Sequence, residues 1–124
     1  MEKYYSKTHE WVLTDGEEAA IVGITEYAAS ELGDITYVEL PHEGDDIIVG
    51  DSIATVESVK ASSDVFSPIS GTVSSVNTHL EDDPSIISRS PEKYGWLYKL
   101  ENIDDTELSE LMDEDEYNEY LETL

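Results

Sequence analysis

One lysine stands out by its surroundings. Val56-Glu57-Ser58-Val59-Lys60-Ala61-Ser62-Ser63-Asp64-Val65 places Lys60 between two β-prone runs, and Ser67-Pro68-Ile69-Ser70-Gly71-Thr72-Val73 follows. The chain has only six basic residues, so a lysine here is not one of a crowd. A turn lysine is most often a solvated charge on a flexible stem. The same amine is also a modifiable nucleophile. For an enzyme to acylate one lysine selectively, the amine must stand at the apex of a rigid hairpin, between neighbours small enough for an active site to close over it. Ser58, Ala61, Ser62 and Ser63 meet that steric requirement. Gly71 lies eleven residues after Lys60 and Gly44 sixteen before it, at places suited to the bends that small sheets need.

The elements around this segment read as β-rich. At 124 residues the chain suits one domain, residues 1–124, with enough apolar material (39 %) for a core. Glu10 to Leu13 and Ala19 to Val22 flank Asp15-Gly16, a strong hairpin signal. Thr25 to Gly33 reads as a short helix, with Thr25 as N-cap and Gly33 as its stop. Strands are expected at Ile35–Leu40, Ile47–Val49, Ile53–Val59, Val65–Phe66, Thr72–Val76 and Trp96–Leu100. Several carry apolar residues at both parities, which fits strands packed on both sides of a small sandwich. Pro84 to Ile87 reads as a helical turn. Asp104-Asp105-Thr106-Glu107 has capping spacing, and Tyr117, Tyr120, Leu121 and Leu124 form one stripe on an acidic C-terminal helix.

Composition excludes several classes of function. Thirty acids against six bases give a net charge of −24, which repels nucleic acid and anionic lipid and favours basic partner surfaces. The same acidity suits a salt-rich cytoplasm. There is no cysteine, hence no disulfide, thiolate metal site or cysteine nucleophile. No apolar run approaches the ~18 residues of a membrane span. His9-Glu10 begins like a zinc-binding helix but lacks the second histidine four residues on, and three scattered histidines make no metal site. No phosphate loop and no nucleophile elbow occurs. No catalytic residue is therefore expected.

The order of these segments resembles the H proteins of the glycine cleavage system. Thr8-His9-Glu10-Trp11-Val12 matches that family near its start. Gly23-Ile24-Thr25, Leu32-Gly33-Asp34-Ile35 and Val38-Glu39-Leu40-Pro41 match its next block. Val56 to Ala61 resembles its lipoylation motif, and Ser67 to Gly71 the turn after it. Asn77, Pro84, Gly95-Trp96 and the Leu111–Tyr117 region extend the likeness over nearly the whole chain. Ser88 and Pro91-Glu92-Lys93-Tyr94-Gly95 depart from the usual family loop.

The resemblance implies a mainly β, lipoyl-domain-like fold, a barrel-sandwich hybrid with short flanking helices and a C-terminal helical segment. It implies a non-catalytic carrier with lipoate joined to Lys60 as an amide. Glu57 and Ala61 would be read by a lipoate-attaching enzyme, Gly44 and Gly71 would frame the hairpin, and Glu10, Asp64 and Thr8 would line a cleft for the arm. The implied partners are the glycine decarboxylase (P protein), the aminomethyltransferase (T protein) and dihydrolipoamide dehydrogenase (L protein). Two alternatives stand beside it: an H-like lipoyl donor in a lipoate relay, and an unmodified acidic interaction module. Met1 to Tyr5 carry neither an apolar signal core nor transit character. The expected place is a prokaryotic cytoplasm, or a mitochondrial matrix if a transit peptide has been removed.

Overall fold

A computed structural model describes residues 1–124. Nine strands form two sheets: β1 (Glu2–Tyr5), β2 (Glu10–Thr14), β3 (Ala20–Ile24), β4 (Ile35–Glu39), β5 (Asp46–Ile47), β6 (Ser52–Ser58), β7 (Ser62–Phe66), β8 (Gly71–Val76) and β9 (Tyr98–Glu101). The larger sheet has the order β1-β2-β3-β9-β8-β5, and the smaller β4-β6-β7. Every neighbouring pair runs antiparallel. Four short helices, α1 (Glu26–Leu32), α2 (His79–Asp82), α3 (Ile86–Arg89) and α4 (Glu114–Glu122), and a 3-10 helix over Asp105–Glu110 lie between and after the strands.

The inner faces of the two sheets share one core. Val12, Val22, Val73 and Leu100 of the large sheet pack with Val38, Val56 and Val65 of the small one. The outer face of the large sheet is also covered. There Trp11 joins Tyr5 and Tyr117 in a second cluster, under α4. Trp11 and Val12 are adjacent in sequence and both buried, which is why clean alternation fails in β2. Gly23 lies opposite Trp11 in the register, and a Cβ there would come within 2.7 Å of the indole. The glycine thus makes room for the largest side chain of the outer cluster.

The helix at Thr25–Gly33 forms as expected: the Thr25 side chain accepts from the Ala28 N–H, and Gly33 ends the helix at φ 80°. Other expectations are corrected. The strand at Ile47–Val49 shrinks to Asp46–Ile47, because the Asp51 carboxylate accepts the Ile48 N–H and pulls Ile48 and Val49 into a turn. Strand β1 carries Glu2 and Lys3 on a sheet edge and shows no alternation to announce it. Asp104 caps a 3-10 helix rather than an α-helix, since Glu107 reaches back to Ser70 instead of closing a capping box. Leu124 leaves the stripe on α4 and is 61 % exposed.

Acidity is balanced by little within the fold. Only two lysine or arginine ion pairs form, Lys3–Glu92 and Arg89–Asp83, and His42 lies 3.8 Å from Asp45. With a net charge of −24, self-repulsion opposes compaction wherever salt does not screen it. Raising NaCl from about 0.01 M to about 1 M shortens the screening length from about 30 Å to about 3 Å. The melting temperature is expected to rise across that range. A flat profile in calorimetry would mean that the acids are already spaced widely enough not to repel.

Candidate functional site

Lys60 stands at the apex of the β6–β7 hairpin. Glu57 pairs with Ser62, and a four-residue turn closes with the Ser58 N–H donating to the Ala61 carbonyl at 2.8 Å. The Ser58 hydroxyl fastens the turn a second time. It accepts from the Lys60 N–H at 3.3 Å and the Ala61 N–H at 3.2 Å. The Val59 N–H reaches the Asp34 carbonyl at 3.4 Å and ties the apex to the chain entering β4. Lys60 is exposed and takes part in none of the ion pairs. Its stem passes over Gly33, where a Cβ would stand 3.6 Å from Lys60 Cε.

Ser88 belongs to this support. Its hydroxyl accepts the Ile35 N–H at 2.9 Å and donates to the Gly33 carbonyl at 3.4 Å, so the departure from the usual family residue still braces the strand beside the lysine. Glu57 and Ala61 are exposed on either side of the apex. Gly44 and Gly71 are placed differently from the expectation. The Gly44 N–H donates to Val73, and Gly71 pairs with Ile47, so both shape the β5–β8 end of the large sheet rather than the lysine hairpin. Gly71 is needed there because a Cβ would meet the Glu101 carbonyl oxygen at 2.9 Å.

Ser58 gives a direct test of the turn. Ser58→Ala removes the hydroxyl bonds at the apex, each worth about 1 kcal/mol. Amide exchange at Lys60 and Ala61, read by NMR, is expected to speed up about two- to fivefold. An unchanged rate would mean that the backbone bond alone orders the apex.

A second feature lies along the same hairpin. Ser6, Thr8, Glu10, Val49, Gly50, Phe66, Ser67, Pro68 and Leu111 line a cleft of about 380 Å³. Its walls are largely apolar and its polar floor is Glu10, only 2 % exposed. The Ser6 hydroxyl donates to Glu10 Oε1 at 2.6 Å, and the Thr8 hydroxyl donates to the same oxygen. The Phe66 N–H points at Oε2 from 3.4 Å. Burial raises the Glu10 carboxyl above the usual range, while the bonds from Ser6, Thr8 and Phe66 pull it back. Burial also raises Tyr98, which donates to Ser67 at 3.0 Å beneath the cleft.

Glu10 and Thr8 are thus brought together, and Asp64 is not with them. Asp64 is exposed on β7, opposite Thr55. Strand alternation puts it on the same face as Phe66, between Lys60 and the cleft. From Ser62 to Phe66 strand β7 rises about 13 Å at about 3.3 Å per residue, with the Lys60 apex beyond its Ser62 end. Ser6, Val49, Phe66 and Leu111 were not anticipated as cleft residues. Val49 and Leu111 come from segments remote in sequence, and no pattern in the chain connects them. Ser6 could have been found from its spacing two residues before Thr8 and four before Glu10.

Comparison with known proteins agrees with this arrangement. The family model for glycine cleavage H-protein matches residues 3–124. The chain is 46 % identical to the glycine cleavage system H protein of Thermotoga maritima over 118 residues, covering 95 % of this chain and 94 % of that one. It is 48 % identical to the one from Staphylococcus epidermidis over 117 residues, covering 94 % and 92 %. The crystal structure of a glycine cleavage system H protein from Mycobacterium marinum superposes with a TM-score of 0.87 at 35 % identity, covering 99 % of this chain and 98 % of that one. An exposed lysine on a braced hairpin, a two-sheet fold and likeness along the full length lead to one assignment: the chain belongs to the glycine cleavage H protein family, the lipoyl carriers of the glycine cleavage system.

Proposed function

We propose that Lys60 is the lipoyl attachment residue and that the Glu10 cleft receives the loaded arm. The observation that carries this reading is the pairing of an exposed, unpaired lysine with an apolar cleft whose floor is a buried carboxylate, both reached along β7. The residues fit the group. Val49, Phe66, Pro68 and Leu111 offer apolar contact to a hydrocarbon arm, and Glu10 offers a negative charge to an amine at its end. Held on Lys60 as an amide, lipoate would supply a redox-active dithiolane, the group that would carry the aminomethyl unit of glycine between P protein and T protein and be reoxidised by L protein.

The chain's own part is presentation and shielding. Ser58 and Asp34 hold the apex that offers Lys60 to a lipoate-attaching enzyme, which reads Glu57 and Ala61 beside it. Thr8 and Ser6 orient Glu10, and Asp64 lies on the route between lysine and cleft. The Lys60 amine loses its charge on acylation, so nothing tethers the arm to the acidic surface and it is free to visit each partner. Encounters of this kind suit weak, electrostatically steered docking, with a chain of net charge −24 approaching basic surfaces. The chain acts as a non-catalytic carrier. Relatives are bacterial, as in Thermotoga maritima, and one from Schizosaccharomyces pombe is named as mitochondrial. The reading for this chain is a prokaryotic cytoplasm or a mitochondrial matrix.

The test is reconstitution. After incubation with lipoate and a lipoate-attaching enzyme, peptide mapping is expected to place one lipoyl increment on Lys60, and the product to support glycine decarboxylation by P protein. Attachment without that support, accompanied by passage of lipoate to another protein, would replace the shuttle by a relay.

A further inference from the structure

His9 occupies an unusual place beside the cleft. Its backbone has φ 72°, a left-handed conformation that side-chain-bearing residues seldom adopt. The reason is the connection from β1 to β2. The His9 N–H donates to the Ser6 carbonyl at 3.1 Å and the Ser6 N–H to the Glu10 carbonyl at 2.9 Å, so residues 6–9 make a tight turn that must reverse its sense at His9. That turn carries Ser6 and Thr8, the two hydroxyls bonded to Glu10. The backbone angle at His9 therefore sets where both hydroxyls lie against the carboxylate.

The His9 ring is held from the far end of the chain. Its Nδ1 lies 2.8 Å from the Tyr117 hydroxyl, and that hydroxyl lies 2.8 Å from Thr25 Oγ1. The Ala28 N–H donates to Thr25 Oγ1, and Thr25 Oγ1, the Tyr117 hydroxyl and His9 Nδ1 continue as a chain of two further hydrogen bonds whose sense is set by the histidine tautomer. Tyr27 and Tyr120 flank the ring, with centroids at 4.6 and 5.9 Å. Tyr117 is itself fixed, stacked on Tyr5 at 4.6 Å with 5° between the planes. The same C-terminal segment pairs with β1 at Met112 and puts Leu111 into the cleft wall.

We infer that His9 is a positioning residue for the Glu10 cleft, locked by Tyr117 so that α4 holds Ser6 and Thr8 against the carboxylate. This rests on the reading of the cleft as the arm's shelter. The C-terminal helix then does more than cover Trp11. It fixes the cleft at two points, the His9 turn and the Leu111 wall.

Tyr117→Phe deletes the hydroxyl and keeps the ring stack. His9→Asn keeps a residue that tolerates the left-handed backbone and removes the ring. Two quantities are read. In the unmodified chain, amide exchange at His9 and Glu10 is expected to speed up about tenfold in both variants, while amides of β3 keep their rates. In the lipoylated chain carrying the aminomethyl group, water releases formaldehyde and ammonia and regenerates the thiol. The half-life against that loss is expected to shorten about three- to tenfold. Glu10→Gln is the reference. If it leaves the half-life unchanged, the cleft reading fails. If it shortens the half-life while Tyr117→Phe and His9→Asn do not, or if exchange accelerates everywhere alike, the positioning role of His9 is overturned.

Discussion

Lys60→Arg is expected to leave the fold intact and to abolish both lipoate attachment and support of glycine decarboxylation. The side chain is exposed and forms no ion pair, so its replacement falls among surface changes that alter stability by about 0.5 kcal/mol or less. Function is another matter. A guanidinium keeps its proton under all ordinary conditions and does not form the amide. The four remaining lysines are poor substitutes. Lys3 is paired with Glu92 at 2.6 Å and lies over Trp11, and Lys99 lies over Trp96. Lys93 sits over Tyr94 in the 91–95 loop. Lys7 is the nearest rival, since it too is exposed in a strand connection. But its neighbours there are Thr8, His9 and Tyr120 of α4, whose hydroxyl donates to the Lys7 carbonyl at 3.2 Å, rather than the small residues that flank Lys60. Intact mass after treatment with lipoate and the attaching enzyme reads the result, with a melting curve as control. A lipoyl increment persisting in Lys60→Arg would move the attachment point elsewhere and sink the presentation argument.

The hairpin was legible because its determinants are local. A lysine between β-prone runs with small neighbours is a short-range pattern, and the turn that presents it is closed by Ser58, two residues away. The Asp15-Gly16 hairpin and the Thr25-capped helix were legible for the same reason. The cleft was legible only in part. Glu10 and Thr8 came from the family resemblance, yet their partners come from four separate segments, at residues 6, 49–50, 66–68 and 111. Only the closure of one sheet over the other gathers them. Gly44 and Gly71 do stand where a small sheet bends, but the bend is at the β5–β8 pairing and not in the lysine hairpin. Both serve the β5–β8 pairing, which a linear reading cannot see. Tyr117 was read as one member of an apolar stripe and is buried as expected, but its hydroxyl, bonded to His9 and Thr25, carries the information.

Glu10→Gln is expected to separate stability from function. Burial holds the Glu10 carboxyl above its ordinary titration range in the folded chain, so the folded state binds this proton more tightly than the unfolded one. The sign follows from linkage. Below the unfolded value both states are protonated and Glu10 carries no penalty. As pH rises through the raised folded value, the buried group ionises at a cost that the unfolded chain does not bear. Ionised Glu10 thus weakens the fold at neutral pH. Glutamine keeps the shape, and the Ser6 and Thr8 hydroxyls can turn to serve its amide. The melting temperature of the variant relative to the parent is therefore expected to be higher at pH 7 than at pH 4, a comparison that cancels the titration of the other acids. Sheltering of the loaded arm should fail at the same time. A charge-assisted bond is worth about 1.5–3 kcal/mol, so the half-life of the aminomethyl-bearing arm is expected to shorten roughly ten- to a hundredfold. A buried charge that costs stability and can be removed to the benefit of the fold is the signature of a group kept for its chemistry. If the variant instead loses stability more at pH 7 than at pH 4, Glu10 is a structural anchor of the β1–β2 turn, and the arm must find its shelter without it.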